Sequence, residues 1–261
     1  MTHGKHTARP LMALLCVLAL AVWPALGRGQ TSRPREIVEP RLNLPELLDK
    51  LVEKNTERAD ALQKYQGRRT YTLVYTGFPT SFHAEMVVDM TYDAPATKQF
   101  KIVSQSGPQW IIDKIMKRLL DAELESMSDE NRARVALNPS NYDFSGLERQ
   151  DAPDNCTYVV AVQPKIPSKL LYRGRIWVDS KDFAVCKIQA EPAKNPSFWI
   201  KSTHFVHTYQ KSGIFWLPSS DRSVTDARII GATELKIEYF DYAANTMPLA
   251  ALRSPAAGSL P

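Results

Sequence analysis

Tyr71-Thr72-Leu73-Val74-Tyr75-Thr76-Gly77-Phe78-Pro79-Thr80-Ser81-Phe82-His83-Ala84-Glu85-Met86-Val87-Val88-Asp89-Met90-Thr91-Tyr92 is the stretch on which the fold turns. Tyr71, Leu73 and Tyr75 alternate with Thr72 and Val74, and beyond the Gly77-Phe78-Pro79 turn Phe82, Ala84, Met86, Val88, Met90 and Tyr92 alternate with His83, Glu85 and Asp89. A period of two places one set on one face of a strand and the other on the opposite face. The segment therefore reads as two antiparallel strands with one apolar and one polar face, and Phe100 and Ile102 carry the pattern into a third.

Upstream of this hairpin the period is helical. Pro45 suits the first turn of a helix, where its missing N–H does no harm. Leu47, Leu48, Leu51, Val52, Ala59, Leu62 and Tyr65 predict an amphipathic helix to about Gln66. Downstream, Gly107-Pro108 breaks the strand series, and Trp110, Ile111, Ile115, Leu119 and Leu124 recur at helical spacing. A second amphipathic helix follows from them, and the charged run Ser128 to Arg134 suggests a third. The remainder reads as β: strands near 142–149, 157–164, 170–179, 183–190, 198–209, 213–218, 223–230 and 233–242 bring the expected total to about eleven. Consecutive antiparallel strands with one apolar face close into a barrel or curl around a cover.

At the N-terminus, Lys5 and Arg9 precede an apolar run from Leu11 to Leu26 that ends in the small-x-small triplet Ala25-Leu26-Gly27, so residues 1–27 read as a cleaved secretory signal peptide. The run is short for a bilayer span and is spoiled by Trp23-Pro24. A soluble, exported protein is expected. Residues 28–43, rich in Arg, Pro and Glu, read as a flexible leader, 44–242 as one domain, and the Ala- and Pro-rich 243–261 as a disordered tail. Cys156 and Cys186 fall on strands expected to lie two apart, roughly 10 Å, which predicts two free thiols.

The composition excludes more chemistry than it suggests. The formal charge of +5 falls to +3 without Lys5 and Arg9 and is scattered along the chain, so nucleic acid is not an expected partner. His204 and His207, three apart on a strand, point to opposite faces and make a poor metal site. Asp179 and Asp182 flank Ser180-Lys181 as hairpin-turn residues rather than as an acid pair. The sequence contains no nucleophile elbow, phosphate-cradling loop or zinc spacing, so no catalytic residue, cofactor or metal is assigned.

Asn141-Tyr142-Asp143-Phe144, Tyr172-Arg173-Gly174-Arg175-Ile176-Trp177-Val178-Asp179, Asn195-Pro196-Ser197-Phe198-Trp199, Phe215-Trp216-Leu217-Pro218 and Ile237-Glu238-Tyr239-Phe240-Asp241-Tyr242 together resemble bacterial outer-membrane lipoprotein-sorting proteins of the LolA-like type. The resemblance covers 44–242 and implies a mainly β (α+β) fold, an incompletely closed antiparallel β-barrel whose concave face is covered by helices around a hydrophobic cavity for acyl chains. In such carriers an arginine on an early strand holds a lid closed. Arg68 and Arg69 lie at the expected edge of the first strand, and neither is assigned that role.

The expected function is lipid binding and lipoprotein transport, the shielding of lipid or lipoprotein acyl chains without catalysis, with inner- or outer-membrane proteins as possible partners. The family also contains envelope-stress sensing and regulatory domains that bind a membrane-protein partner, which is the alternative. The strands would contribute Leu73, Tyr75, Met86, Val88, Met90, Phe100, Ile176, Val178, Phe205, Leu235, Ile237 and Tyr239 to the ligand-binding face. Trp110, Ile111, Ile115 and Leu119 would form the lid. Each methylene such a face takes from water is worth about 0.8 kcal/mol.

Overall fold

The structure is a computed structural model that describes residues 42–245, apart from 96, 151, 153, 154, 196, 229 and 230. The signal peptide expected over 1–27, the leader as far as 41 and the tail from 246 lie outside the described residues. Helix α1 (Leu44–Ala61) leads into strands β1 (Lys64–Gly77), β2 (Phe82–Asp93) and β3 (Thr97–Ser106). A helical segment follows: α2 (Gln109–Ile111), a π-helical turn over Ile112–Met116, α3 (Lys117–Ser126) and α4 (Asp129–Val135). The rest is β4 (Tyr142–Arg149), β5 (Tyr158–Pro164), β6 (Tyr172–Val178), β7 (Val185–Pro192), β8 (Ile200–Ser212), β9 (Phe215–Ala227) and β10 (Gly231–Asn245).

Among the described residues, ten strands form one antiparallel sheet in the order β3-β2-β1-β10-β9-β8-β7-β6-β5-β4. The sheet is not closed, and β3 and β4 are its edges. The expected mainly β, open architecture is observed, with ten strands in place of about eleven. The difference lies at Pro218-Ser219-Ser220-Asp221, which reads as a turn but runs through the middle of β9. Thr208 and Ser219 share a hydrogen bond between hydroxyls at 2.9 Å, and Asp221 meets His207, so turn-forming side chains are satisfied across the sheet instead.

Helix α1 begins in a reciprocal cap. The Glu46 N–H donates to Asn43 Oδ1 and the Asn43 N–H donates to Glu46 Oε2, each at 3.0 Å. Asn43, assigned to the leader by sequence, is therefore structured. The helix ends at Ala61, five residues short of expectation, because Tyr65 belongs to the period-two series of β1 as well as to the helical series. Strand β1 starts at Lys64, and β10 continues to Asn245, which pairs with Lys64.

One face can be followed residue by residue across the sheet. Met86 opposes Tyr71, Tyr71 opposes Ile237, and Ile237 opposes Asp221. Asp221 opposes His207, which opposes Ile188, then Ile176, then Val160. Directly opposed residues share a face, so this row defines the inner surface. It is apolar at both ends and polar in the middle. On the β5–β7 end, Leu47 and Leu51 of α1 pack on Val160, Ile176 and Val178. On the β1–β2 end, Ile111, Ile112, Met116 and Leu120 pack on Tyr71, Leu73, Met86 and Val88. The helices thus cover the two halves of one face with separate apolar cores.

Cys156 and Cys186 form a disulfide, with their Cα atoms 6.2 Å apart, which corrects the expectation of free thiols. The expectation placed Cys156 in a strand, whereas it precedes β5 in a loop where Asn155 takes a positive φ of 61°. The Asn155 carbonyl accepts from the Ser180 N–H at 2.8 Å, drawing this loop past the end of β6 toward β7. The Asp179 turn is as read: its Oδ1 accepts from the N–H groups of Lys181 and Asp182 at 2.9 and 2.6 Å.

Gly107 connects β3 to α2 with φ of 106°, and a Cβ there would stand 2.6 Å from the His83 carbonyl oxygen. Gly107→Ala is expected to cost about 1–3 kcal/mol through backbone strain and this contact. Equilibrium denaturation checks it, and an unchanged midpoint contradicts it.

Candidate functional site

The inner face beneath the helices is the candidate site. On β1 the inward series Tyr65, Gly67, Arg69, Tyr71, Leu73 and Tyr75 includes one charged residue, and alternation carries Arg69 into the interior at 3% exposure. Its guanidinium forks onto Glu123 of α3, Nη1 donating to Oε2 at 2.6 Å and Nη2 to Oε1 at 3.0 Å. Nη1 also donates to the Tyr71 hydroxyl at 3.1 Å. Lys98 Nζ of β3 donates to Glu123 Oε1 at 2.5 Å, so one carboxylate joins two buried cations beneath the helix. The Tyr239 and Phe100 rings lie 4.9 and 5.4 Å from the guanidinium carbon.

The electrostatics follow from this closure. Burial opposes the charge on Arg69, and the Glu123 hydrogen bonds and charge more than offset it, so the guanidinium stays protonated. Burial likewise raises the Glu123 carboxyl, but Arg69 and Lys98 pull it below its ordinary value of 4.5. Arg69 thus joins β1 to α3 through Glu123, a contact left unassigned by sequence. It lies well inside β1 rather than at its edge, because β1 begins six residues before the alternation at Thr70 becomes obvious.

The helix α2–α3 acts as the cover. Ile112, Met116 and Leu120 recur every four residues, which drifts by about 40° per step on an ideal α-helix. The wider turn at Ile112–Met116 offsets that drift and keeps Ile111, Ile112, Met116, Leu120 and Glu123 over the sheet. Sequence spacing found Ile111, Ile115 and Leu119 but not the partner series Ile112, Met116 and Leu120.

Of the expected lining residues, Leu73, Met86 and Val88 are buried beneath this cover, with Phe100, Ile115, Leu119, Leu235 and Ile237 partly buried around them. Met90 is buried beside Arg69, whose Nη2 approaches its sulfur, and Tyr75 is buried against Phe82. Ile176 and Val178 belong instead to the core under α1, with Phe205 at its margin. Trp110 is 57% exposed and meets Phe82 edge to face, with the ring centroids 5.4 Å apart. The residues share a face but divide between two cores.

Between the cores lies the polar row. His207 Nδ1 meets Asp221 Oδ1 at 2.5 Å, and the Tyr239 hydroxyl donates to the other Asp221 oxygen. Burial, reinforced by the Asp221 charge, raises the Tyr239 hydroxyl so that it stays protonated as the donor. Asp221 thereby holds an imidazole and a phenol in place on the inner surface. His204 points to the other face, as its spacing implies, 3.9 Å from Glu191. Among the described residues no group of three metal-ligating side chains comes together, and no helix is long and apolar enough to cross a membrane. A cleft of 360 Å³ runs along the inner face beneath α1, lined by Leu62, Tyr172, Ile188, Tyr209, Phe215 and Leu217 among others. Its size falls at the lower end of small-ligand sites.

Solved structures similar to this chain include a DUF1329 family protein from Desulfovibrio piger, 12% identical with a TM-score of 0.39 over 77% of this chain and 92% of that one. An outer membrane lipoprotein-sorting protein domain from Vibrio parahaemolyticus is 11% identical, with a TM-score of 0.39 over 78% and 94%. A LolA superfamily protein from Nitrosomonas europaea is 11% identical, with a TM-score of 0.34 over 79% and 97%. No protein-family model and no curated protein matches the sequence. These likenesses concern the fold alone.

Proposed function

We propose that the protein is a periplasmic binding protein that takes the acyl chains of a lipid or lipoprotein between its inner sheet face and the α2–α3 cover, by binding alone. The observation that carries this reading is the cover itself: an apolar helical stripe that includes Met116 lies on a strand face that includes Met86, and it is fastened by Glu123 to Arg69 and Lys98. An acyl chain that enters between the stripe and the strand face keeps both covered, because hydrophobic burial is non-directional and methionine repacks readily. The polar row His207-Asp221-Tyr239 beside the apolar half suits the head of the same amphiphile. The Cys156–Cys186 disulfide accords with an oxidising compartment.

The test is native mass spectrometry of protein purified from the periplasm of cells expressing the full chain, followed by organic extraction and titration with a fluorescent fatty acid. Bound lipid or acylated protein at fixed stoichiometry, with displacement by the fatty acid, is expected. Empty protein that takes up no fatty acid overturns the reading in favour of a domain that binds a membrane-protein partner.

A further inference from the structure

The antiparallel register sends alternate connections to opposite ends of the sheet. Gly77 pairs with Gly231, Ala227 with both Gly231 and Ile200, Tyr172 with Pro192, and Tyr142 with Pro164. The connections β1–β2, β9–β10, β7–β8 and β5–β6 therefore gather at one end, joined there by the turn from β3 into α2. This end carries Phe78, Phe198, Trp199, Ile166, Leu170 and Trp110, each between 57% and 82% exposed. Ile214, in the β8–β9 turn at the other end, is 41% exposed.

Charge divides the same way. Among the described residues, the connections at the aromatic end contain Lys165, Lys169, Lys194 and Arg228 and no acidic residue, whereas those at the far end contain Asp179 and Asp182 against Lys181 alone. Arg228 ties two of the tips together, stacking over the Phe198 ring at 5.2 Å and donating from Nε to the Phe198 carbonyl at 2.8 Å. The apolar residues stand on separate hairpin tips. From the β1–β2 tip to the β5–β6 tip is six strand spacings, roughly 30 Å along the sheet.

We infer that this end of the sheet docks on an anionic lipid bilayer. A row of separate tips bearing Trp and Phe fits a plane rather than a single peptide, and aromatic rings favour the depth at which lipid headgroups meet acyl chains. Interspersed lysine and arginine complement anionic headgroups. The cover begins here as well. Trp110 meets Phe82, Phe82 stacks on Tyr75 at 4.6 Å, and the Tyr75 hydroxyl donates to the Phe78 carbonyl at 3.0 Å. Docking therefore presents the start of α2 to the bilayer, where an acyl chain would enter. The docking goes beyond the proposed binding function, and only the entry of an acyl chain beside Trp110 rests on that reading.

The experiment is co-sedimentation of the purified protein with vesicles of phosphatidylethanolamine and phosphatidylglycerol, against vesicles of phosphatidylcholine alone. Binding to the anionic vesicles that weakens with salt is expected. Phe198→Ser with Trp199→Ser should reduce it at least about tenfold, and Lys169→Glu with Lys194→Glu at least about fivefold, while Ile214→Ser leaves it unchanged. Near-ultraviolet circular dichroism establishes that each variant folds, and the charge pair tests the inference should the aromatic pair not fold. No association of folded protein with anionic vesicles overturns the inference, as does binding indifferent to both pairs. Capture of one protein partner, lost with the same replacements and without vesicle binding, overturns it in favour of a protein interface. Fatty-acid uptake is measured separately in solution: uptake without vesicle binding defeats the docking inference alone, and vesicle binding without uptake defeats only the binding-protein reading.

Discussion

Glu123→Ala is expected to free the cover from the sheet. The replacement leaves Arg69 and Lys98, whose side chains are 4% and 9% exposed, without their shared counter-ion. Removing one partner from a buried pair costs about 3–5 kcal/mol, because the remaining charge keeps its desolvation cost and loses its compensation. Lifting α2–α3 lets water reach both cations, so the loss should fall on the cover first. The backbone amides of Ile112 to Leu120 should lose hydrogen-exchange protection while those of β5–β7 keep theirs.

Replacing Arg69, Lys98 and Glu123 together by Met should restore the protection, since an apolar contact of similar volume carries no buried charge. Acid should act as the alanine does. The Glu123 carboxyl is held below its ordinary 4.5, so its contribution is present in full above that value and is lost as pH falls through the lower folded value. Cover protection should stay level from neutrality down to about pH 5 and fall in more acidic solution. Unchanged exchange of these amides in Glu123→Ala contradicts the fastening.

The second large effect is expected from the disulfide. Cys156 and Cys186 are 30 residues apart, and opening a loop of that length lowers stability by roughly 3–4 kcal/mol through the entropy of the unfolded chain. Cys156→Ala with Cys186→Ala should lower the denaturation midpoint accordingly, and reduction of the wild-type protein should reproduce the shift. Two reactive thiols in protein unfolded without reductant contradict the bond. The weakening should be greatest around β5–β7, where the bond ties a loop to the sheet, and the cover should be unaffected. Together with Glu123→Ala, this separates the two halves of the inner face.

Local periodicity made much of the fold legible. The alternation in Tyr71–Tyr75 and Phe82–Tyr92 identified the inward faces of β1 and β2, because a strand's faces are set by its own pleat whatever strand lies beside it. The amphipathic cover was legible from Ile111, Ile115 and Leu119 for the corresponding helical reason. Periodicity erred where one residue satisfied two patterns, as Tyr65 did at the end of α1, and where turn-forming side chains found partners across the sheet, as Ser219 and Asp221 did within β9. The π-helical turn shifted the phase of the cover by a residue and so hid Ile112, Met116 and Leu120.

Local pattern alone thus settles the face each residue occupies and the two amphipathic helices that must cover a sheet. Packing in three dimensions is what brings β10 beside β1, Arg69 to Glu123 across 54 residues, Cys156 to Cys186, and Asp221 and His207 into the apolar row. Each of these joins residues far apart in the chain, and a repeat of two or of three to four residues carries no information about which distant segment will lie alongside. The order of strands in the sheet supplies it.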